Sequence, residues 1–271
     1  MTSTDHSLAP AWPSCALGAW AAAWLAGRCS PDDVADTLDT LAELHTVDVS
    51  GPGDIAETVS DSPESGYGVL GLLGLLRGAS GLEVRLPGPG APQGLPPDPA
   101  TEAAFGVGEV LLVDDGGQHP LALIPTEHDG SVRWRVMRYR VPVSAPATAP
   151  AGDIEYDLRD AVTEATELIG RLGGRTGTNP TDLRGAIRAL THRHLVELPP
   201  HEDQRATRLL GTAAQVEAIV TVANDGRVGF GQTAGHWESG DAQLRSLITL
   251  TRAARAAAIN RVIGELMPAH R

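Results

Sequence analysis

The densest candidate chemistry is a run of four arginines, Arg133, Arg135, Arg138 and Arg140, in the segment SVRWRVMRYRV (131–141). A guanidinium is always charged and presents a planar fork of N–H donors, which suits a carboxylate or a phosphate. Val132, Trp134 and Val136 alternate on one parity of this strand, and Met137, Tyr139 and Val141 continue on the other. That slip predicts a β-bulge near Val136 and Met137, and with it all four arginines face solvent. Two chemistries follow. One is a docking strip for a small anion, an acidic partner or a second copy of the chain. The other is pairing with acids such as Asp114, Glu127 or those of the acidic front half of the chain.

A second group collects His192, His194, His201, Glu202 and Asp203. Histidines and carboxylates are what a metal-assisted hydrolase uses, and His192, His201, Glu202 and Asp203 are the residues that would carry it. The spacing opposes this: residues two apart on a helix point about 200° apart, so His192 and His194 cannot share one metal. His194 instead extends the apolar stripe of Leu183, Ile187 and Leu190. Gly66-Tyr67-Gly68-Val69-Leu70-Gly71 matches GxGxxG, but SDSPES precedes it where a dinucleotide site needs a strand. There is no GxSxG, no HExxH and no CxxC. All 21 basic residues are arginine, which excludes a P-loop lysine, a pyridoxal Schiff base and a lysine nucleophile. No metal and no cofactor is implied.

The 271 residues carry a net charge of −13, spread unevenly. Residues 1–82 hold 11 acids and 2 arginines, whereas residues 151–271 hold 15 acids and 14 arginines. So acidic a front end repels phosphate backbones, which argues against bulk nucleic-acid or anionic-membrane binding. Cys15 and Cys29 sit near opposite ends of one helical segment, about 21 Å apart at 1.5 Å per residue, far beyond disulfide reach. A reduced, cytoplasmic chain is expected. The apolar stretch from Cys15 to Ala26 is too short to span a membrane.

The elements that must position these residues read as follows. Residues 1–11 form a loose tail. CALGAWAAAWLAG forms an apolar helix. A second helix starts at Ser30, where serine caps, Pro31 fits the first turn, and Asp32 and Asp33 favour the positive end. Its stripe is Val34, Leu38, Leu41 and Leu44. Residues 46–63 are irregular and acidic. A buried helix (69–78), a strand (82–86) and an extended connector, PGPGAPQGLPPDP (87–99), follow. Strands at 109–115, 119–125 and 131–141 form an antiparallel meander, with Asp115-Gly116 and Asp129-Gly130 as turns. A linker (142–153) separates this first domain (12–141) from a helical bundle (154–267). Its helices run over 154–172, 182–195, 202–223 and 239–267, the first with Glu155–Arg159 and Glu167–Arg171 as supporting pairs.

Several segments taken in order resemble an uncharacterised family of actinobacterial proteins: LGAWAAAWLAG, SPDDV, RLPGPGAPQGLP, GEVLLV with ALIP and VRWRV, and ELPPHEDQRATRLLGTA. The proline-glycine stretch is the most distinctive of them, and the resemblance implies no catalytic residue. The expectation is therefore an α+β protein, with N-terminal helices packed on a small antiparallel sheet and a C-terminal helical bundle. Its expected function is a non-enzymatic interaction or regulatory role in the cytoplasm, with another protein or a second copy as partner.

Overall fold

The computed structural model describes residues 12–49, 68–146, 151–176, 180–228 and 237–267. The expected tail, most of the acidic stretch 46–63, and Gly66 and Tyr67 lie outside them. The class is α+β, with eight helices and a five-stranded sheet among the described residues. The chain divides into two compact units. Met1–Ala147, Val196–Glu202 and Ile259–Arg271 form the first; Thr148–Leu195 and Asp203–Ala258 form the second.

In the first unit, helix α1 (Pro13–Leu25) is buried nearly all round, as its alanine-rich sequence demands. Helix α2 (Pro31–Asp39) begins on a reciprocal capping box: the Ser30 hydroxyl accepts from the Asp33 amide at 3.2 Å, and Asp33 accepts from the Ser30 amide at 2.7 Å. It stops at Asp39, so Leu44 leaves the expected stripe and opens strand β1 (Leu44–Val49), where it is exposed. Helix α3 (Val69–Leu76), strand β2 (Gly81–Arg85) and strands β3 (Val110–Asp114), β4 (Leu121–His128) and β5 (Ser131–Arg138) lie where the apolar runs place them. Two elements were not expected, β1 and helix α4 (Pro99–Val107).

The sheet order is β1-β5-β4-β3-β2. It is mixed rather than purely antiparallel, because β1 joins β5 in parallel. Asp129 and Gly130 both hold positive φ, 46° and 75°, and link His128 to Ser131 in the tight hairpin the dipeptide signals. The expected bulge is absent: β4 and β5 pair without interruption from Leu121↔Arg138 to His128↔Ser131. The change of parity has another cause. Val132, Trp134 and Val136 are buried on one face. Met137 and Tyr139 instead pack with Ala122, Ile124 and Leu112 on the opposite face, beneath α4. Both faces are apolar at this end, so alternation fails without any slip.

Helix α1 packs on the first face at close range. A Cβ on Gly18 would stand 3.0 Å from Val84 and 3.1 Å from Leu111, so glycine sets the approach. At the sheet's β2 edge, two side-chain amides pair with the free backbone. Asn260 accepts from the Val84 amide (2.7 Å) and donates to its carbonyl (2.9 Å). Gln93 does the same for Leu86, at 2.9 and 3.0 Å. Both mimic a sixth strand and leave these groups unavailable to another chain.

The proline-glycine stretch is therefore not an unpaired connector. It folds back through a Gly88–Ala91 bridge, buries Leu95 and ends on Asp98, which caps α4. Gly94, at φ 77°, leaves no room for a side chain against the Ser144 and Ala145 carbonyls.

The second unit is built from α5 (Ala151–Thr176), α6 (Pro180–His194), α7 (Gln204–Val228) and the part of α8 (Trp237–Leu266) up to Ala258. Helices α5 and α6 both pack against α7. The stripe Ala206, Leu209, Ala213, Val216, Val220 and Ala223 is buried throughout. Glu155 does not take Arg159 as its ion-pair partner; it forms a two-pronged pair with Arg205 of α7. The side chains of Glu167 and Arg171 lie outside the described ones.

Candidate functional site

The sheet register sorts the four arginines. Arg133 and Arg135 share a face with Met137, but lie opposite Thr126 and Ile124 on β4 and opposite Thr46 and Asp48 on β1. Both are exposed. Arg138 has the other parity. It is half-buried in a two-pronged salt bridge with Asp115 (2.8 and 3.0 Å) and also donates to the His119 carbonyl. The guanidinium holds the Asp115 carboxyl below its usual range. Arg140 lies beyond the strand, and its backbone amide donates to Asp98 at 3.1 Å. The four-residue strip is thus a pair, Arg133 and Arg135, plus a structural arginine and a strand-end arginine. Glu127, offered as a cross-strand acid, lies on the opposite face, beside Val132.

A polar cluster invisible to motif reading lies under the proline-glycine stretch. Arg85 is almost fully buried; it donates to the Gln93 carbonyl and pairs with Glu83 at 2.7 Å. Asp98 accepts from the Ala100 and Arg140 amides. The Tyr139 and Thr101 hydroxyls meet at 3.2 Å, and burial pushes the Tyr139 phenol up. Beside them opens a cleft of about 680 Å³ lined by Pro97, Asp98, Thr101, Glu102 and Phe105. Asp98 already serves two backbone donors and the phenol stays neutral at physiological pH, so this cluster reads as a scaffold that holds α4 on the sheet.

The histidines separate in the same way. His45, unremarked in sequence, is buried between α2 and β5. Its Nδ1 accepts from the Trp134 indole at 3.1 Å and its Nε2 lies 2.9 Å from the Leu38 carbonyl. That arrangement requires the neutral ring with the proton on Nε2, and burial holds its pKa below the ordinary value. His192 is exposed on α6 and lines a groove of about 410 Å³ with Arg184, Ile187, Arg188, Thr191, Leu195 and Gln215. His194 is half-buried, as its place in the stripe predicts, and lies 3.7 Å from Glu217, which pairs with the fully buried Arg255 at 2.6 Å. Burial also lowers the His194 pKa. Asp203 caps α7, accepting from the Arg205 and Ala206 amides at 2.9 and 3.0 Å, while the Glu202 amide donates to Glu265. Among the described residues no group of three or more His, Cys, Asp or Glu could hold a metal ion. Gly68 is the N-cap of α3 at φ 109°, and the residues just before it lie outside the described ones. Both cysteines are free, and no described helix is long and apolar enough to cross a membrane.

The geometry defines an α+β protein in which Arg85, Arg138, Arg205 and Arg255 are each ion-paired within their own unit. Comparison with known proteins gives the family. The model of the Rv1486c-like protein N-terminal domain matches residues 14–150, and that of the C-terminal domain matches residues 152–256. The chain belongs to the Rv1486c-like family. It is 32% identical to "Uncharacterized protein Rv1486c" of Mycobacterium tuberculosis H37Rv, over 94% of this chain and 99% of that protein. It is 29% identical to "Uncharacterized protein ML1804" of Mycobacterium leprae over the same shares. No solved structure matches.

Proposed function

We propose that this chain is a non-enzymatic interaction protein of the cytoplasm that receives an acidic or anionic partner through Arg133 and Arg135. The observation that carries the reading is a contrast among arginines. Arg85, Arg138, Arg205 and Arg255 each sit in an ion pair within their own unit. Arg133, between Thr46 and Thr126, and Arg135, between Asp48 and Ile124, project side by side from β5 with no ion pair to another described residue. Two guanidiniums on one strand face, two residues apart, match two carboxylates or one phosphate and its neighbour. An exposed cation costs little to keep unpaired, so the pair is poised rather than strained.

The test compares the wild-type chain with the doubly reversed Arg133→Glu, Arg135→Glu variant. Each is used as affinity bait in the native host, with recovery read by quantitative mass spectrometry and folding checked by circular dichroism. A partner enriched at least tenfold by the wild type and lost by the folded variant is expected. Equal recovery by both removes the arginine pair from the reading. Stoichiometric metal in protein purified without chelator, lost in His201→Ala, overturns the non-enzymatic part.

A further inference from the structure

The groove on α6 carries two kinds of side chain in register. Arg184, Arg188 and His192 recur every four residues along one line. Ile187, Thr191 and Leu195 run beside them, and Leu195 is 44% exposed. Neither Arg184 nor Arg188 forms an ion pair with another described residue. A basic line flanking an apolar furrow is the complement of a helix that bears an apolar anchor among acids.

The same unit displays such a helix. On α5, Asp153, Tyr156, Asp157 and Asp160 fall at spacings of 3, 1 and 3, hence on one face about 100° wide. All four are exposed, Tyr156 by 63%. No ion pair joins these aspartates to another described residue, although Glu155, one position along, is paired with Arg205. A large exposed aromatic ringed by unpaired acids faces no partner of its own, and tyrosine is a residue type favoured at contact centres.

We infer that the chain self-associates, each copy seating the Tyr156 face of its α5 in the α6 groove of the other. Tyr156 enters the furrow over Ile187 and Leu195, while Asp157 and Asp160 reach Arg184 and Arg188. The aspartates are three residues apart and the arginines four, so in side-by-side helices the charges stand at matching intervals of roughly 5–6 Å. Each copy offers both surfaces, so reciprocal use closes a two-fold dimer. The argument uses neither Arg133 nor Arg135, so this inference stands or falls independently of the proposed function.

Sedimentation equilibrium of the full chain at 50 mM salt, over a concentration series to about 100 µM, reads the association. A dimer is expected that weakens at least tenfold at 0.5 M salt, as ion pairing across an exposed boundary requires. The variants Arg184→Glu, Arg188→Glu and Asp157→Arg, Asp160→Arg are each expected to be monomeric alone. Mixed in equal amounts they are expected to form a heterodimer, because each then supplies the sign the other lacks. That recovery also shows that neither variant is misfolded. Tyr156→Ala weakens the wild-type dimer at least tenfold. A wild-type monomer throughout the series, a dimer that survives either double reversal, or variants that stay apart when mixed overturns the inference.

Discussion

Replacing Asp98 tests whether the proline-glycine stretch is a built part of the sheet or a passive connector. The carboxylate caps α4 through the Ala100 amide at 2.9 Å and fastens the strand end through the Arg140 amide at 3.1 Å. Loss of an N-cap costs about 1 kcal/mol. Loss of a hydrogen bond to a charged acceptor costs about 1.5 kcal/mol. Asp98→Ala is therefore expected to destabilise the first unit by about 2.5 kcal/mol, a fall in Tm of roughly 5–10 °C for a unit of this size. Asp98→Asn keeps one acceptor oxygen but turns an N–H toward the second donor, so about half the loss is expected. Four of the five tryptophans, Trp12, Trp20, Trp24 and Trp134, belong to this unit, so their fluorescence during thermal unfolding reports it selectively. A drop below 1 °C for Asp98→Ala, or an equal drop for both variants, refutes the two-donor account.

Further outcomes follow from other buried groups. His45 and His194 are both held below the usual histidine range chiefly by burial. The unfolded chain takes up their protons first, so stability is full above about pH 6.5 and declines as pH falls from there toward the depressed folded values. Urea titrations between pH 8 and 5 should show this decline, with a shallower slope for His45→Gln; a flat profile contradicts it. Glu217→Ala strips the fully buried Arg255 of its carboxylate and should cost about 3–5 kcal/mol, most of it recovered when Arg255→Met is added. An additive double-mutant cycle would count against that pairing. Gln93→Ala with Asn260→Ala uncovers the β2 edge, and light scattering on mild heating should rise well above the wild type.

Local signals predicted local structure well. Ser30 followed by Pro31 marked the start of α2, and Asp129-Gly130 marked the hairpin between β4 and β5. The same cap signal, Asp98 before Pro99, was present for α4 but was hidden among the prolines on either side of it. Strand β1 had no comparable signal. Its place depends on a parallel register with residues 131–136 and on the His45 to Trp134 hydrogen bond, 89 residues apart in the chain. The arginines show the same limit: their alternation was visible, but not that α4 would cover the second face and make Met137 and Tyr139 a second buried layer. Of the candidate site, Arg133 and Arg135 were legible as exposed cations. The fates of Arg138 and Asp203 were not, because Asp115 and the α7 amides meet them only after folding.

The amide of Asn260 also places a constraint on biosynthesis. Val84 leaves the ribosome 176 residues before the side chain that closes over it. At about 5–20 residues per second, the nascent sheet waits roughly 9–35 seconds with that backbone uncovered. Gln93, only seven residues from Leu86, arrives almost at once and seals the neighbouring position. The early seal limits what a stranger's strand could grip during the wait, and the late one ties completion of the first unit to a residue made long after its sheet.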